Sequence, residues 1–348
     1  MKKFVVSTDR SSDILIGKDI LRNAGAYISS CIPPCHLCII TDSTVNNIYS
    51  QVVMTSLMEH GYRTSKIVFP SGEHSKNLNT YSNILEALAD ESLNRSDGIV
   101  ALGGGVVGDM AGFTAATYMR GISYVQIPTT YLAAVDASIG GKSSINLLSG
   151  KNLVGAFWQP SMVLCDYKTF DSLPPAKLQD GIAEAVKCAA VSEASLIPHI
   201  QSHDYEYVIE RCVSIKKSFV EADERDMGLR QILNFGHTIG HGIEKITSYA
   251  VSHGQAVAKG MIIEARAAYK MGLTDIDISG QLTDILTSMG FNLTSCSKVD
   301  ELYRYALMDK KISGDKITMV IPEALGKCRL QKITLSELKQ FIQAGIEE

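Results

Sequence analysis

Along the first half of the chain, short apolar runs rich in β-branched residues alternate with stretches of helical period. Phe4–Ser7, Cys38–Thr41, Lys66–Pro70, Ile99–Leu102, Tyr124–Pro128 and Val163–Asp166 read as strands. Between them, Asn77–Glu91 and Val106–Tyr118 repeat their apolar positions with helical spacing. Such alternation predicts a mostly parallel sheet with helices on its faces. After about residue 170 the strand signal nearly vanishes. Lys177–Ala190, Ala194–Glu221, Leu229–Ile246, His253–Met271 and Ile278–Met289 read as helices, and only Lys316–Pro322 as a late β segment. The pattern therefore predicts a Rossmann-like α/β nucleotide-binding domain over residues 1–160. An all-α domain is expected over residues 161–348, with a ligand cleft between the two.

Polar residues interrupt this pattern where chemistry is expected. On a helix through 229–246, Arg230, Asn234, His237 and His241 fall at i, i+4, i+7 and i+11 and share one face. Ile232, Leu233, Phe235 and Ile239 hold the other side in a core. A face carrying two imidazoles, an amide and a guanidinium suits a small anion, a metal, or both. Glu184 and Lys187, at i and i+3, could be an exposed ion pair of little consequence. Their neighbours Ile182, Ala183, Ala185 and Val186 favour burial instead, where a carboxylate needs a cation or a metal. Glu184 with two imidazoles would form a His₂Glu set with an open coordination position. Spacing makes His237 and His241 the natural pair, but it leaves the choice between His241 and His253 open.

Gly103, Gly104, Gly105 and Gly108 follow the Ile99–Leu102 strand and open a helix, which lets backbone N–H groups approach phosphate oxygens. A plain strand–helix turn needs fewer glycines. The G-x-G-x-x-G spacing at 103, 105 and 108 falls at about the fourth strand, so the spacing alone is a weak signal. Thr129, Thr130, Asp136, Lys142, Lys151 and Asn152 form a second polar cluster. It is no P-loop, because Asp136 stands where the first glycine is required. Solvated loop lysines are the bland account; phosphate or carboxylate recognition is the functional one.

Composition narrows the field. A 45% hydrophobic and 20% charged chain of 348 residues is ordinary for a soluble protein of two domains. The net charge of −4, with no basic block, gives no sign of a nucleic-acid partner. No apolar run reaches membrane-spanning length and the first residues do not read as a signal peptide, so a cytoplasmic location is expected. Cys31, Cys35, His36 and Cys38 could suggest a soft metal site, but no second cysteine pair completes it; free thiols are expected.

Taken together the motifs resemble the 3-dehydroquinate synthase family over most of the chain. The N-terminal ones are Pro70-Ser-Gly-Glu73-His-Ser-Lys76, Gly103-Gly-Gly-Val-Val-Gly-Asp109, Tyr118-Met-Arg120-Gly, Ile127-Pro-Thr129-Thr130 through Asp136 to Lys142, and Gly150-Lys151-Asn152. The C-terminal ones are Gly181-Ile-Ala-Glu184-Ala-Val-Lys187, Asp223-Glu-Arg, Leu233-Asn-Phe-Gly-His-Thr-Ile-Gly-His241, Ser252-His253-Gly and Met308-Asp-Lys310-Lys311. The resemblance implies a metal set of Glu184, His237 and His253, holding Zn²⁺ with Co²⁺ as an alternative. It implies an NAD site built from Asp42, Glu73, Lys76, Gly103, Gly104, Gly105, Asp109, Thr129, Thr130, Lys142 and Lys151. Thr169 and Ser172 lie near its edge, where they depart from the family's usual residues.

Substrate contacts are implied for Arg120, Lys142, Asn152, Lys187, Lys216, Arg230, Asn234, His241 and one of Lys310 or Lys311. Catalytic roles are implied for His241, Lys142, Lys187, Arg230, Asn234 and Asp136. Arg120 would serve the neighbouring subunit's phosphate site, which implies a homodimer. The implied reaction converts the sugar phosphate 3-deoxy-D-arabino-heptulosonate 7-phosphate into 3-dehydroquinate and phosphate, with NAD oxidised and restored within each turnover. Two rivals share the architecture: another sugar phosphate cyclase, and a metal-dependent alcohol dehydrogenase with net redox. The full set Lys142, Asn152, Lys187, Arg230 and His241 favours the dehydroquinate reaction over the first, and a dehydrogenase pocket would not need this many cations. Against a third rival, a catalytically silent binding module, stands the intact Glu184, His237 and His253 set.

Overall fold

The structure, a computed structural model, describes residues 1–294, 298–307 and 312–346. It divides into two compact units, residues 1–173 with 216–225, and residues 174–215 with 226–348.

The first unit is built on a seven-stranded sheet. Its strands are β1 (Lys2–Val6), β2 (Ser12–Gly17), β3 (His36–Asp42), β4 (Arg63–Phe69), β5 (Gly98–Gly103), β6 (Ser123–Pro128) and, after a hairpin, β9 (Met162–Asp166). The hairpin contributes β7 (Lys142–Leu147) and β8 (Gly150–Phe157), which form a separate two-stranded sheet. The sheet order is β1-β2-β9-β6-β5-β3-β4; β1 runs antiparallel to β2 and every other pair is parallel. Alternate side chains feed two cores. Leu37, Ile39, Val100 and Leu102 enter one, while Cys38, Ile40, Ile99 and Ala101 enter the other. Burial on both faces is why these strands read as continuous apolar runs. After β3 the chain moves outward to β4, then returns on β3's other side as β5. The strand order therefore reverses at the C-terminal ends of β3 and β5, the place where open α/β sheets bind ligands.

The boundary expected at 160/161 lies instead at 173/174. The reason is β9: it hydrogen-bonds to β2 and β6 and so belongs to the first sheet. Residues 216–225 also join this unit. Glu221 accepts the Ser7 N–H at 2.7 Å, and Glu224 accepts from the Gln159 amide at 2.8 Å. β2 and the β7–β8 hairpin were not expected from the pattern. The hairpin is rich in Ser, Gly, Asn and Lys, so its strand ladder carries little apolar signal.

The second unit is mainly helical. Its core gathers Ile239, Ile243, Ile263, Phe341 and Ile342 around the helices His237–Ile246, His253–Lys270 and Leu335–Ile346. It is not all-α. A three-stranded antiparallel sheet joins β10 (Ile312–Ser313), β11 (Lys316–Ala324) and β12 (Lys327–Thr334). The Lys316–Pro322 expectation falls within β11. β12 alternates basic and apolar residues and was missed.

Two expected helices are broken. Ala194–Glu221 resolves into short turns over Ala194–Gln201 and a helix from Tyr205 to Ala222, with His203 at φ 56° in the break. The 229–246 segment is a 3₁₀ stretch, Leu229–Asn234, then a helix beginning at His237. Gly236, left-handed at φ 77°, separates them. Arg230 and Asn234 therefore do not continue the helical face of His237 and His241.

Candidate active site

In the first unit, the expected cofactor residues collect at the C-terminal ends of the parallel strands. Asp42 ends β3 and accepts the N–H groups of Thr44 and Val45 at 2.8 and 3.0 Å. Gly103 ends β5, Gly104 caps the next helix, and Gly105 starts that helix, Gly105–Thr117. A Cβ on Gly103 would lie 2.5 Å from Val107, and one on Gly104 would lie 2.9 Å from Thr130. The glycines thus close the strand–helix turn against β6's end and leave backbone N–H groups at a helix N-terminus, a disposition suited to phosphate. Thr129 donates its N–H to Gly103 O at 2.9 Å, while its buried hydroxyl has no hydrogen-bond partner.

Beside this turn, the Lys76 ammonium contacts both the Asp109 carboxylate and the Asn152 amide oxygen. Ser144 donates to Asn152 at 3.0 Å. Burial pushes the Asp109 carboxyl up, and the Lys76 charge offsets part of that. Glu73 accepts from Asn146 at 2.8 Å, and Asn146 accepts the Asn152 N–H at 2.9 Å. Lys151 lies 4.0 Å from Glu73. The hairpin thereby ties Lys151 and Asn152 to the Glu73–Lys76 motif. Lys142 begins β7. Asn146 and Ser144 were not expected; lone Asn and Ser residues in a polar run carry no periodic signal. The Lys216 ammonium reaches the Asp136 carboxylate at 2.6 Å and also its carbonyl.

Thr169 is buried, with its hydroxyl bonded to Asp166 O at 2.8 Å, and the Ser172 hydroxyl sits 2.8 Å from that of Tyr49. Arg120 is exposed and left-handed at φ 68°.

In the second unit, one group closes on Glu184. Its Oε1 lies 3.5 Å from His237 Nε2 and 3.2 Å from His253 Nε2, and its other oxygen meets the Lys187 ammonium. His241 stays outside this group. Its ring centroid is 5.4 Å from that of His237, and it falls with Glu244 and His253 in a second cluster. The outer ring nitrogens are held as well. His237 Nδ1 is 3.2 Å from Phe235 O, and His253 Nδ1 is 3.2 Å from Glu244 Oε2. Both Nε2 atoms therefore turn inward. Three converging donors, two of them imidazoles with satisfied second nitrogens, suit a divalent metal such as zinc.

Burial alone would raise the Glu184 carboxyl, but the Lys187 ammonium and the two imidazoles outweigh it and hold it well below the usual range. Burial pushes His237 down to about 4. Burial opposes charge on His253 too, yet Glu184 and Glu244 hold its proton and raise it to about 10.

Buried carboxylates that the sequence did not single out support this geometry. Glu264, 1% exposed, accepts the N–H of Gly236 at 2.8 Å and of Ile239 at 3.4 Å. Asp180 accepts the N–H of Gly254 at 2.9 Å, next to His253. Arg230 is buried in the 3₁₀ stretch, and Asn234 donates to Gln231 O at 3.1 Å. Lys310 and Lys311 lie outside the described residues. Cys38 is buried and Cys31 and Cys35 half-buried; burial raises all three thiols to about 11. No metal-holding group among the described residues includes them.

The fold and this site define a sugar phosphate cyclase architecture. The structure matches 2-deoxy-scyllo-inosose synthase, solved with carbaglucose-6-phosphate, NAD⁺ and Co²⁺, at a TM-score of 0.88 and 28% identity, covering 99% of this chain and 100% of that one. Residues 66–180 match the 3-dehydroquinate synthase N-terminal family model and residues 181–312 its C-terminal counterpart. The 3-dehydroquinate synthase of Enterococcus faecalis is 41% identical over 98% of both chains, and that of Clostridium acetobutylicum 40% over 96% of both. The chain belongs to the 3-dehydroquinate synthase family.

Proposed function

We infer that the protein is a carbon–oxygen lyase that converts 3-deoxy-D-arabino-heptulosonate 7-phosphate into 3-dehydroquinate and phosphate. Family membership supports the reaction, and the convergence of Glu184, His237 and His253 is the observation that carries it. The donor set fits a divalent metal. The glycine-lined strand ends and the unpartnered buried Thr129 hydroxyl fit a dinucleotide. When bound, NAD⁺ would supply a reversible hydride acceptor, and a divalent metal held by Glu184, His237 and His253 would supply a Lewis acid for substrate oxygens.

The chain's own residues do the rest. A ketone at C5 acidifies the C6 proton, so phosphate leaves by elimination, with its own oxygen available as base. The Lys187 ammonium keeps Glu184 ionised and adds positive charge beside the metal set. Arg230, held rigidly by burial, suits an anionic group on the substrate. Lys142, Asn152, Lys216 and Asn234 complete the proposed substrate contacts, with Asp136 positioning Lys216 through their ion pair. His241, exposed beside His237, takes and returns substrate protons. Asp42, Glu73, Lys76, Asp109, Thr130 and Lys151 are assigned to the dinucleotide, with Thr169 and Ser172 at its edge. Arg120, exposed on the first unit, is assigned to a partner copy's phosphate site in a homodimer.

The test supplies the heptulosonate phosphate with Zn²⁺ and substoichiometric NAD⁺. Many phosphates released per NAD⁺, without accumulated NADH, are expected. Steady NADH production from a simple alcohol, without phosphate release, overturns the assignment. His237→Ala should lose both metal and activity; metal content equal to wild type would remove His237 from the ligand set.

A further inference from the structure

His237 and His253 are oriented by different means. The second nitrogen of His237 is satisfied by a main-chain carbonyl, Phe235 O, which no side-chain substitution removes. His253 stands at the first position of its helix. Its backbone is fixed by the Ser252 cap, whose hydroxyl accepts the Gln255 N–H at 3.4 Å, and by Asp180 on the Gly254 N–H. Neither contact fixes the rotation of the imidazole ring, a torsion with a broad intrinsic profile. That rotation decides which nitrogen faces Glu184. Glu244 supplies the missing constraint. It is 3% exposed, lies one turn beyond His241 on the helix His237–Ile246, and places Oε2 3.2 Å from His253 Nδ1.

We propose that Glu244 is the positioning residue for His253: it accepts the Nδ1 proton, so that Nε2 presents its lone pair to the metal beside Glu184 and His237. The inference rests on the ligand assignment above. Removing a carboxylate that orients a ligating histidine weakens metal binding by roughly 10–100-fold. The same distances place His241, Glu244 and His253 within reach of a second cation, a reading in which Glu244 is itself a ligand.

The full chain, stripped of metal, is titrated with Zn²⁺ against a chromophoric chelator, as wild type, Glu244→Ala, Glu244→Gln and His237→Ala. Glu244→Ala should weaken Zn²⁺ binding by about 10–100-fold, while NAD⁺ affinity holds at the wild-type value. Glu244→Gln keeps an acceptor for Nδ1 without the charge and should fall between the two. It also carries the test should the alanine variant fail to fold. With Co²⁺ as probe, the visible bands of the bound ion should shift in Glu244→Ala, a change that general loosening of the fold does not produce. Wild-type Zn²⁺ affinity and Co²⁺ bands in every Glu244 variant that folds, together with loss of binding in His237→Ala, overturn the positioning role and leave the ligand set intact. Two Zn²⁺ per wild-type chain and one in the Glu244 variants would overturn it in favour of the second cation. Undiminished binding in His237→Ala instead overturns the ligand assignment itself.

Discussion

Gly236 carries two constraints at once. Its φ of 77° is one that side chains rarely adopt, and a Cβ there would lie 2.6 Å from Met261 Cγ and 2.7 Å from Val257 O. Gly236→Ala should therefore destabilise the protein by about 2–4 kcal/mol, the sum of left-handed strain and overpacking. Urea denaturation measures the loss. Because His237 is the next residue, Zn²⁺ affinity should fall in the same variant. Lys76 offers a contrasting case in the first unit. Its ammonium holds the largely buried Asp109, so Lys76→Met leaves a carboxylate without its cation, at a cost of about 2–3 kcal/mol with a discount for partial exposure. NAD⁺ affinity should drop with it. The exposed Lys168–Asp171 pair is the control, and its removal should leave the midpoint unchanged.

At the scale of elements, the parallel strands were legible because burial on both faces writes itself as apolar runs. The glycines after β5 were legible because a strand–helix turn against β6 excludes side chains there. The β7–β8 hairpin was not, since Ser, Asn, Lys and Gly interrupt the apolar positions of both strands. Nor was the interruption at Gly236, where apolar periodicity continues across a backbone turn that period counting does not register. Spacing favoured His237 with His241, whereas the fold groups His237 with His253 by bringing the starts of two helices to Glu184. Glu244 was not singled out, since a lone glutamate within a helical run carries no periodic signal.

The placement of His253 between Glu184 and Glu244 also sets a pH dependence. In the metal-free protein burial opposes its charge, but the Glu184 and Glu244 carboxylates outweigh that and raise its pKa from 6.5 to about 10. A raised pKa stabilises the fold fully below about pH 6.5, and that contribution is lost as pH climbs through about 10. A metal must displace this proton. Zn²⁺ affinity should rise with pH across this range, and binding at pH 7 should release at least one proton. Calorimetric titration in buffers of differing ionisation enthalpy reads that proton directly. A buffer-independent enthalpy would contradict it.

For the whole molecule, the proposed homodimer makes a quantitative prediction. If Arg120 serves the partner's site, Arg120→Ala and His237→Ala chains should each be inactive alone. Mixed by unfolding and refolding, they should recover about a quarter of wild-type activity, since half the random dimers hold one intact site of two. No recovery would place Arg120 in its own subunit's site, and wild-type activity of Arg120→Ala alone would place it outside the site altogether. Among the described residues no helix is long and apolar enough to cross a membrane.

The path of the chain has a consequence of its own. Residues 216–225 belong to the first unit, while 174–215 and 226–348 belong to the second, so the polypeptide passes from one to the other three times. A fragment ending at residue 173 would lack Glu221 and Glu224, which bind Ser7 and Gln159, and Lys216, which pairs with Asp136. Neither half is thus a module that a single recombination event could graft onto another protein. A single protease cut between 174 and 215 would nick the chain without freeing a complete first unit.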